Sequence, residues 1–486
     1  VQAKWAPYFF RIVYFALALT VGLFLYSLYK RPIHVDAAIL GEPTYWLAHD
    51  GVLRSELQRG WQHAEEHFFF THKLFLYIGA FWTTLLGWSS TTLNSLSLIY
   101  LCALFSAWIL IAKAYKVEWK WFFAFALFLL TNHHIYELSF VYRPEIAVAA
   151  FSSWCFFFLD RYLSVRSPLL LVFAALVAGF GIGHHMNGVV IVIAGFFLLL
   201  SQRQYVAAVV FGAIGSLGLC YYLIDIRSMQ DFHLMVSQFQ HMQDIQPLHS
   251  TWVHYILNIP FEQKRFLHSP VEIGLVIFAV PLFIFSWRTL WARYPRLVIF
   301  AGTAILALAL ISHDKDTKYL SLHIPILTFL AVLSLRHIFE EVPLNQSLIF
   351  KNRWLPFFIL LFFIGQWRSN YPITFEKDHL IESYDELAHD LPEGTHMLGP
   401  VFAVFWALPH HYRLQSFITY QVLASHDDFV MDSSHLATAL DEFQIDALLV
   451  DVDATTRFQL TDESLPKFHF TQANKDLGLR FFRRKD

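Results

Sequence analysis

Long apolar runs broken by short polar turns constrain this chain more than any other feature of its sequence. Hydrocarbon offers no water to an open amide or carbonyl, so an apolar run of roughly 20 residues must close its own hydrogen bonds as a helix. By that test about eleven runs qualify, near 7–29, 92–112, 120–132, 145–160, 168–183, 187–201, 205–224, 271–287, 297–312, 319–336 and 354–368. The first is too long for the core of a secretory leader and lacks a small-residue cleavage site, so it reads as a retained signal anchor. With 56% hydrophobic and only 15% charged residues, the chain is built for a bilayer. A net charge of −3 supplies no basic face and excludes a nucleic-acid partner. Cys102, Cys155 and Cys220 all fall inside apolar runs, which argues against a disulfide framework or a thiolate metal site.

Charge sets the orientation. With Lys4 and Arg11 on the cytoplasmic side, the short connections on that side carry Lys113, Lys116, Lys120, Arg161, Arg166, Arg203, Arg288, Arg293, Arg296, Arg336, Lys351 and Arg353. Two long connections then lie outside. One, about 30–90, contains an amphipathic stretch around Thr44–Leu57 and an aromatic stretch around Phe75–Leu86; the other, about 225–270, mixes charge, Met and His. After Trp367 the composition becomes that of a soluble domain. There His396–Pro400 and Ala447–Asp451 read as strands, and Ser383–His389 and Ser434–Phe443 as helices. The expected architecture is a polytopic all-α membrane bundle over residues 1–370, followed by a small α/β domain over 371–486 on the outer side.

Ionisable groups at the mouth of such a bundle are costly and therefore candidates for chemistry. Asp36 sits just past the first run, where a carboxylate could serve as general base, ligate a metal, or cap the next helix. In Arg143-Pro144-Glu145 the guanidinium matches a phosphate fork and equally suits Glu145 or a lipid headgroup, while Glu145 suits the start of a helix. Lys315 and Lys318, in His313–Tyr319, could neutralise a lipid phosphate or merely solvate a turn. His184-His185 interrupts an apolar run and should face the bundle interior or a wet cavity. His133 and Glu137 have helical spacing, but no zinc-type ligand pattern accompanies them, so the metal is left unassigned and a divalent cation stays open as cofactor. Walker, GxGxxG and GxSxG motifs are missing, so an activated donor delivered by the membrane fits better than a soluble nucleotide.

In order, the motifs are His34-Val35-Asp36-Ala37-Ala38, Tyr45–Gly51, Leu86-Gly87, Arg143-Pro144-Glu145, His185-Met186-Asn187-Gly188, and Lys318-Tyr319-Leu320 leading to Pro325. That order resembles the GT-C superfamily of polyprenyl-phosphate-sugar-dependent glycosyltransferases, in particular bacterial relatives of protein O-mannosyltransferases and aminoarabinose transferases. The resemblance implies sugar transfer from a polyprenyl-phosphate carrier to a glycan, lipid or protein acceptor on the outer face of a bacterial inner membrane, with inversion. It makes Asp36 the catalytic acid that deprotonates the acceptor, sets Arg143 and Glu145 near the donor phosphate, and marks His185, Lys315, Lys318 and the neighbouring Tyr319 as contacts to phosphate or sugar. The family usually has a second acid directly after the first; here that place is Ala37. Rival readings are a lipid-linked-sugar flippase or transporter and a non-catalytic membrane subunit whose outer domain binds partners; the missing inverted repeat and the two large loops weigh against the transporter.

Overall fold

A computed structural model describes residues 2–69, 72–241, 252–312, 315–342, 354–376, 380–388, 390–426, 430–460, 464–474 and 478–485. Its helices follow the apolar runs. They are Gln2–Leu28 (α1), Val35–Asp50 (α2), Lys73–Leu86 (α3), Ser90–Ala114 (α4), Trp119–Thr131 (α5), His133–Leu138 (α6), Glu145–Val165 (α7), Pro168–His184 (α8), Val189–Ser201 (α9) and Tyr205–Ser216 (α10). Then come Met229–Gln240 (α11), Trp252–Phe261 (α12), Gln263–Phe266 (α13), Pro270–Arg293 (α14), Pro295–Ile311 (α15), Ile324–Glu340 (α16) and Leu355–Phe375 (α17).

Among the described residues, five segments are long and apolar enough to cross a membrane: Tyr8–Leu28, Ser90–Ala114, Glu145–Val165, Tyr205–Leu223 and Pro270–Arg293. A helix stands at each of the eleven expected positions, yet the count of eleven spans is not carried by helix length. At 13 residues, α5 extends only roughly 20 Å, short of a hydrocarbon core about 30 Å thick.

The turns that follow α4, α7, α14 and α16 meet at one end of the bundle. There Arg296 pairs with Asp160 at 3.0 Å, Tyr115 donates to the same carboxylate at 3.2 Å, and Lys120 pairs with Glu340 at 3.0 Å. Lys351 and Arg353, assigned to that face from the sequence, lie outside the described residues. Glu145 begins α7 at the other end, 21 residues and therefore roughly 30 Å away along the helix.

At that other end α2 and α3 form a cap over the bundle. His34 is the N-cap of α2, its Nδ1 accepting the Asp36 N–H at 3.1 Å, and the helix ends at Gly51, whose φ of +70° suits a residue without a Cβ. This stop corrects the amphipathic stretch expected over Thr44–Leu57: the helix starts nine residues earlier and gives way to turns after Asp50. The aromatic stretch near Phe75–Leu86 is α3. In the second long connection, 242–251 lie outside the described residues.

The C-terminal part is a five-stranded sheet of His396–Gly399 (β1), Arg413–Ser416 (β2), Ala447–Val450 (β3), Phe468–Asn474 (β4) and Leu479–Arg484 (β5), in the order β2-β1-β3-β5-β4. β1 runs parallel to β2 and β3, whereas β5 is antiparallel to β3 and β4. Helices Leu380–Ala388, Phe417–His426 and Ser433–Glu442 accompany it, with His389 outside the described residues. One apolar cluster joins this sheet to the cap, packing Ala37, Tyr45, Phe75 and Leu93 with Met397, Phe405 and Trp406. Backbone bonds reinforce the joint: Leu57 O accepts from Ser416 N at 3.0 Å and from Thr419 Oγ1 at 2.6 Å.

Candidate functional site

The loop between α6 and α7 is held from three sides before it delivers Arg143. Asn94 of α4 accepts the Tyr142 N–H at 2.8 Å, Thr44 of α2 meets the Tyr142 hydroxyl at 3.0 Å, and Phe75 of α3 stacks on its ring at 4.5 Å between centroids. A Cβ on Gly79 would lie 1.8 Å from that hydroxyl, so the tyrosine depends on a glycine in α3. With Tyr142 fixed, Arg143 has little freedom. Its Nε donates to both Glu145 oxygens at 3.0 Å, its Nη2 donates to Oε1, and its Nη1 reaches Asp36 Oδ2.

Asp36 is therefore the meeting point of two cations. Lys318 donates from Nζ to the same Oδ2 at 3.0 Å, and His34 Nδ1 lies 3.3 Å from it. Lys318 is presented by a short 3-10 turn, Thr317–Leu322, started by Asp316, whose carboxylate accepts the Lys318 N–H at 2.9 Å. Arg143 and Glu145 are nearly buried while Asp36 and Lys318 remain partly exposed, which leaves an entrance on the Asp36 side. Burial opposes the charge of Arg143, but Glu145 more than offsets it and the guanidinium pKa is raised. Burial and then Arg143 lower Lys318. Burial, followed by Lys318, takes His34 down to about 4, so its imidazole is neutral near pH 7.

Beside this cluster lies a pocket lined by the polar Glu145, His185, Asn187, Tyr319 and Ser321 and the apolar Val148, Leu308 and Leu322. His185 breaks the chain between α8 and the 3-10 turn Met186–Gly188 in an extended conformation. Its ring stacks on His72 at 4.4 Å and meets Tyr319 edge-on at 5.3 Å. Burial lowers His72 to about 4. The glycine closing this break has a spatial reason, since a Cβ on Gly188 would come within 2.3 Å of the Gly181 carbonyl.

Of the residues singled out in the sequence, Asp36, Arg143, Glu145 and Lys318 come together, and His185 and Tyr319 adjoin them across the pocket. Lys315 does not join them. Its Nζ donates instead to Glu262 at 3.0 Å and to the carbonyls of Ser312 and Ala309 at the end of α15. His313 and Asp314, its neighbours, lie outside the described residues. The sequence reading missed Arg265, fully buried, which binds Glu262 at 2.8 Å and sits over the Tyr319 ring at 5.4 Å. It also missed Lys73, equally buried and paired with Asp225, the acceptor of a 2.6 Å bond from Tyr77. A charged residue at the first position of the aromatic helix was the available signal for Lys73.

A divalent cation needs several free oxygen or nitrogen donors in one place. Among the described residues no group of three or more His, Cys, Asp or Glu is placed to hold a metal ion. Asp36 Oδ2 is shared by two cations, and the His133–Glu137 pair, at 3.6 Å, is engaged with Asn370 and His34. This donor set does not fit a metal, and no step below runs through one.

The sequence matches no protein-family model, and no curated protein is similar to it by sequence comparison. Solved structures do share its fold. ArnT from Cupriavidus metallidurans bound to undecaprenyl phosphate superimposes with a TM-score of 0.58 at 12% identity, over 97% of both chains. Its apo structure gives 0.57. The Archaeoglobus fulgidus oligosaccharyltransferase, solved as a complex with Zn and sulfate, gives 0.52 at 12% identity over 97% of this chain and 73% of that one. The likeness to ArnT and to the archaeal oligosaccharyltransferase is one of fold.

Proposed function

We propose that this chain is a membrane glycosyltransferase that moves a sugar from a polyprenyl-phosphate donor to an acceptor hydroxyl or amine, with Asp36 as the base. The observation that carries the reading is the convergence of one carboxylate, Asp36, with two cations, Arg143 and Lys318, beside a pocket partly lined by the apolar Val148, Leu308 and Leu322. A polyprenyl phosphate has the matching chemistry, a double-headed anion on an apolar tail. The fold shared with a protein solved with undecaprenyl phosphate supports the same donor class.

In the proposed step the acceptor attacks the anomeric carbon from the face opposite the phosphate, and the new bond forms as the bond from carbon to phosphate oxygen breaks. The acceptor proton passes to Asp36, and Arg143 and Lys318 neutralise the departing phosphate. This division of labour explains the ion pairing. With both cations on Oδ2 the carboxylate is a poor base, and transfer of either cation to the phosphate restores its basicity. Donor binding would then activate the base.

The reading places Asp36 and the sheet domain outside the cell membrane of a bacterium, with the N-terminus cytoplasmic, about eleven spans within residues 1–370, and 371–486 as an outer domain that helps bind acceptor. The basic residues clustered at the far end of the bundle support this orientation. Asp36→Asn keeps the size of the side chain and one acceptor oxygen but removes the charge and the base. Sugar transfer from a labelled undecaprenyl-phosphate donor should fall at least about a hundredfold while the protein elutes as the wild type does. Undiminished transfer would remove Asp36 from the mechanism.

A further inference from the structure

We propose that the proton taken up by Asp36 leaves through His34 to Glu137, a relay built into the first turn of α2 and the short helix α6. The inference rests on the transferase reading above and deepens it. Asp36 Oδ2 lies 3.3 Å from His34 Nδ1, and the other nitrogen of that ring, Nε2, lies 3.8 Å from Glu137 Oε1. The imidazole thus stands between two carboxylates with one nitrogen toward each.

The backbone fixes the direction of transfer. His34 caps α2 by accepting the Asp36 N–H at Nδ1, which requires an unprotonated Nδ1 and leaves the proton of the neutral ring on Nε2. In that tautomer the side facing Asp36 can accept a proton and the side facing Glu137 can give one. When Asp36 has taken the acceptor proton, its carboxyl O–H passes it to Nδ1, the Nε2 proton moves to Glu137, and Asp36 is again a carboxylate. One proton enters and one leaves; Nδ1 gives up its bond from the Asp36 N–H as it takes the proton, and exchange of the ring protons with water returns His34 to the Nε2–H tautomer before the next turnover. The Nε2 gap exceeds hydrogen-bond reach by under about 1 Å, a distance closed by a side-chain rotation or one water.

Glu137 is built to receive it. Its backbone carbonyl is held by Arg31 Nη1 at 3.1 Å, and its second oxygen lies 3.6 Å from His133 Nε2, whose Nδ1 meets Asn370 at 3.0 Å. With a side chain about one-fifth exposed, it can exchange the proton with water. The charged and titratable groups facing His34 are Asp36 on its own segment, Glu137 on α6, Arg143 and Glu145 at the head of α7, and Lys318 on the 3-10 turn; the cations oppose imidazolium, so the ring passes the proton on instead of keeping it. His34 contacts no reacting atom in this scheme and acts by resetting Asp36.

The test uses full-length protein in membranes from the source cells, with their native acceptors and a panel of undecaprenyl-phosphate-linked, radiolabelled hexose, pentose and aminopentose donors. Label leaving the donor is followed over pH 5–9. Asn at position 34 can still accept the Asp36 N–H and keep the cap, but it cannot carry a proton. His34→Asn should lower kcat about tenfold or more with KM little changed, Glu137→Gln should do the same, and added imidazole should restore turnover to His34→Ala. Wild-type kcat in both His34→Asn and Glu137→Gln overturns the relay. So does a slow variant that keeps the wild-type pH profile and gains nothing from imidazole, which marks a purely structural role. If His34→Asn does not fold, Glu137→Gln and imidazole rescue decide. Wild-type protein that releases label from none of the donors refutes the transferase reading and the relay with it; release by the wild type with unchanged variants refutes the relay alone.

Discussion

Removing Arg143 should cost more in folding than its role toward a phosphate would suggest. Arg143→Ala leaves Glu145, only 4% exposed, without its principal partner at the head of α7. Breaking a buried pair by deleting one member typically costs about 3–5 kcal/mol. The N-terminal end of α7 returns roughly 0.3–1 kcal/mol to a carboxylate in its first turn, occasionally about 2. Lys318 returns little, since its bond is to Asp36. A net loss of about 2–4 kcal/mol follows. Adding Glu145→Gln removes the stranded charge, so the double variant should recover more than half of it. Reversible denaturation of the purified protein in mixed micelles measures both. A single variant within about 0.5 kcal/mol of wild type, or a double variant no more stable than the single, would refute the reasoning. The practical consequence is that lost activity in Arg143→Ala mixes misfolding with chemistry, whereas Arg143→Lys keeps the charge.

Three further outcomes are expected. Lys318→Ala should weaken binding of undecaprenyl phosphate roughly tenfold with little effect on stability, while Lys315→Ala, which breaks contacts to Glu262 and the end of α15, should lower stability and leave affinity unchanged in native mass spectrometry. Gly188→Ala forces a methyl group against the Gly181 carbonyl and should destabilise by about 1–3 kcal/mol, read as a lower melting temperature in detergent. Glu42, in α2 outside the five long apolar segments, is raised by burial to about 7 from an ordinary 4.5. The folded state holds that proton more tightly than the unfolded state, so stability should fall as pH rises from about 4.5 to about 7 and stay low above it. At about 1.4 kcal/mol per pH unit the loss is on the order of 3 kcal/mol; Glu42→Gln should remove this dependence, and an unchanged pH profile would contradict the assignment.

The helices were legible because each had to satisfy its backbone alone, which writes a long apolar run into the sequence. Strands carry no such signature when short. β1 and β3 showed as apolar runs, but Arg413–Ser416 has no alternation, and Phe468–Asn474 is exposed along most of its length and defined by pairing with β5. At the site, the order of motifs pointed to Asp36, Arg143 and Lys318, although the first two are 107 residues apart and Lys318 lies 282 beyond Asp36. What sequence could not do was separate Lys315 from Lys318. The 3-10 turn that begins at Thr317 sends Lys318 to Asp36 and leaves Lys315 with Glu262, and Glu262 gave no signal in a long mixed loop. His34 was hidden for a similar reason, since its part depends on which ring nitrogen the backbone of α2 engages.

The central claim, that Asp36, Arg143 and Lys318 form the donor-phosphate end of a transferase site, is tested most directly by an electron cryomicroscopy map of the protein in nanodiscs with undecaprenyl phosphate. The account predicts phosphate density within hydrogen-bond distance of Arg143 and Lys318, with the prenyl chain descending past Val148 and Leu322. Density for the phosphate at the opposite end of the bundle, or none near Asp36 at saturating lipid, would contradict it.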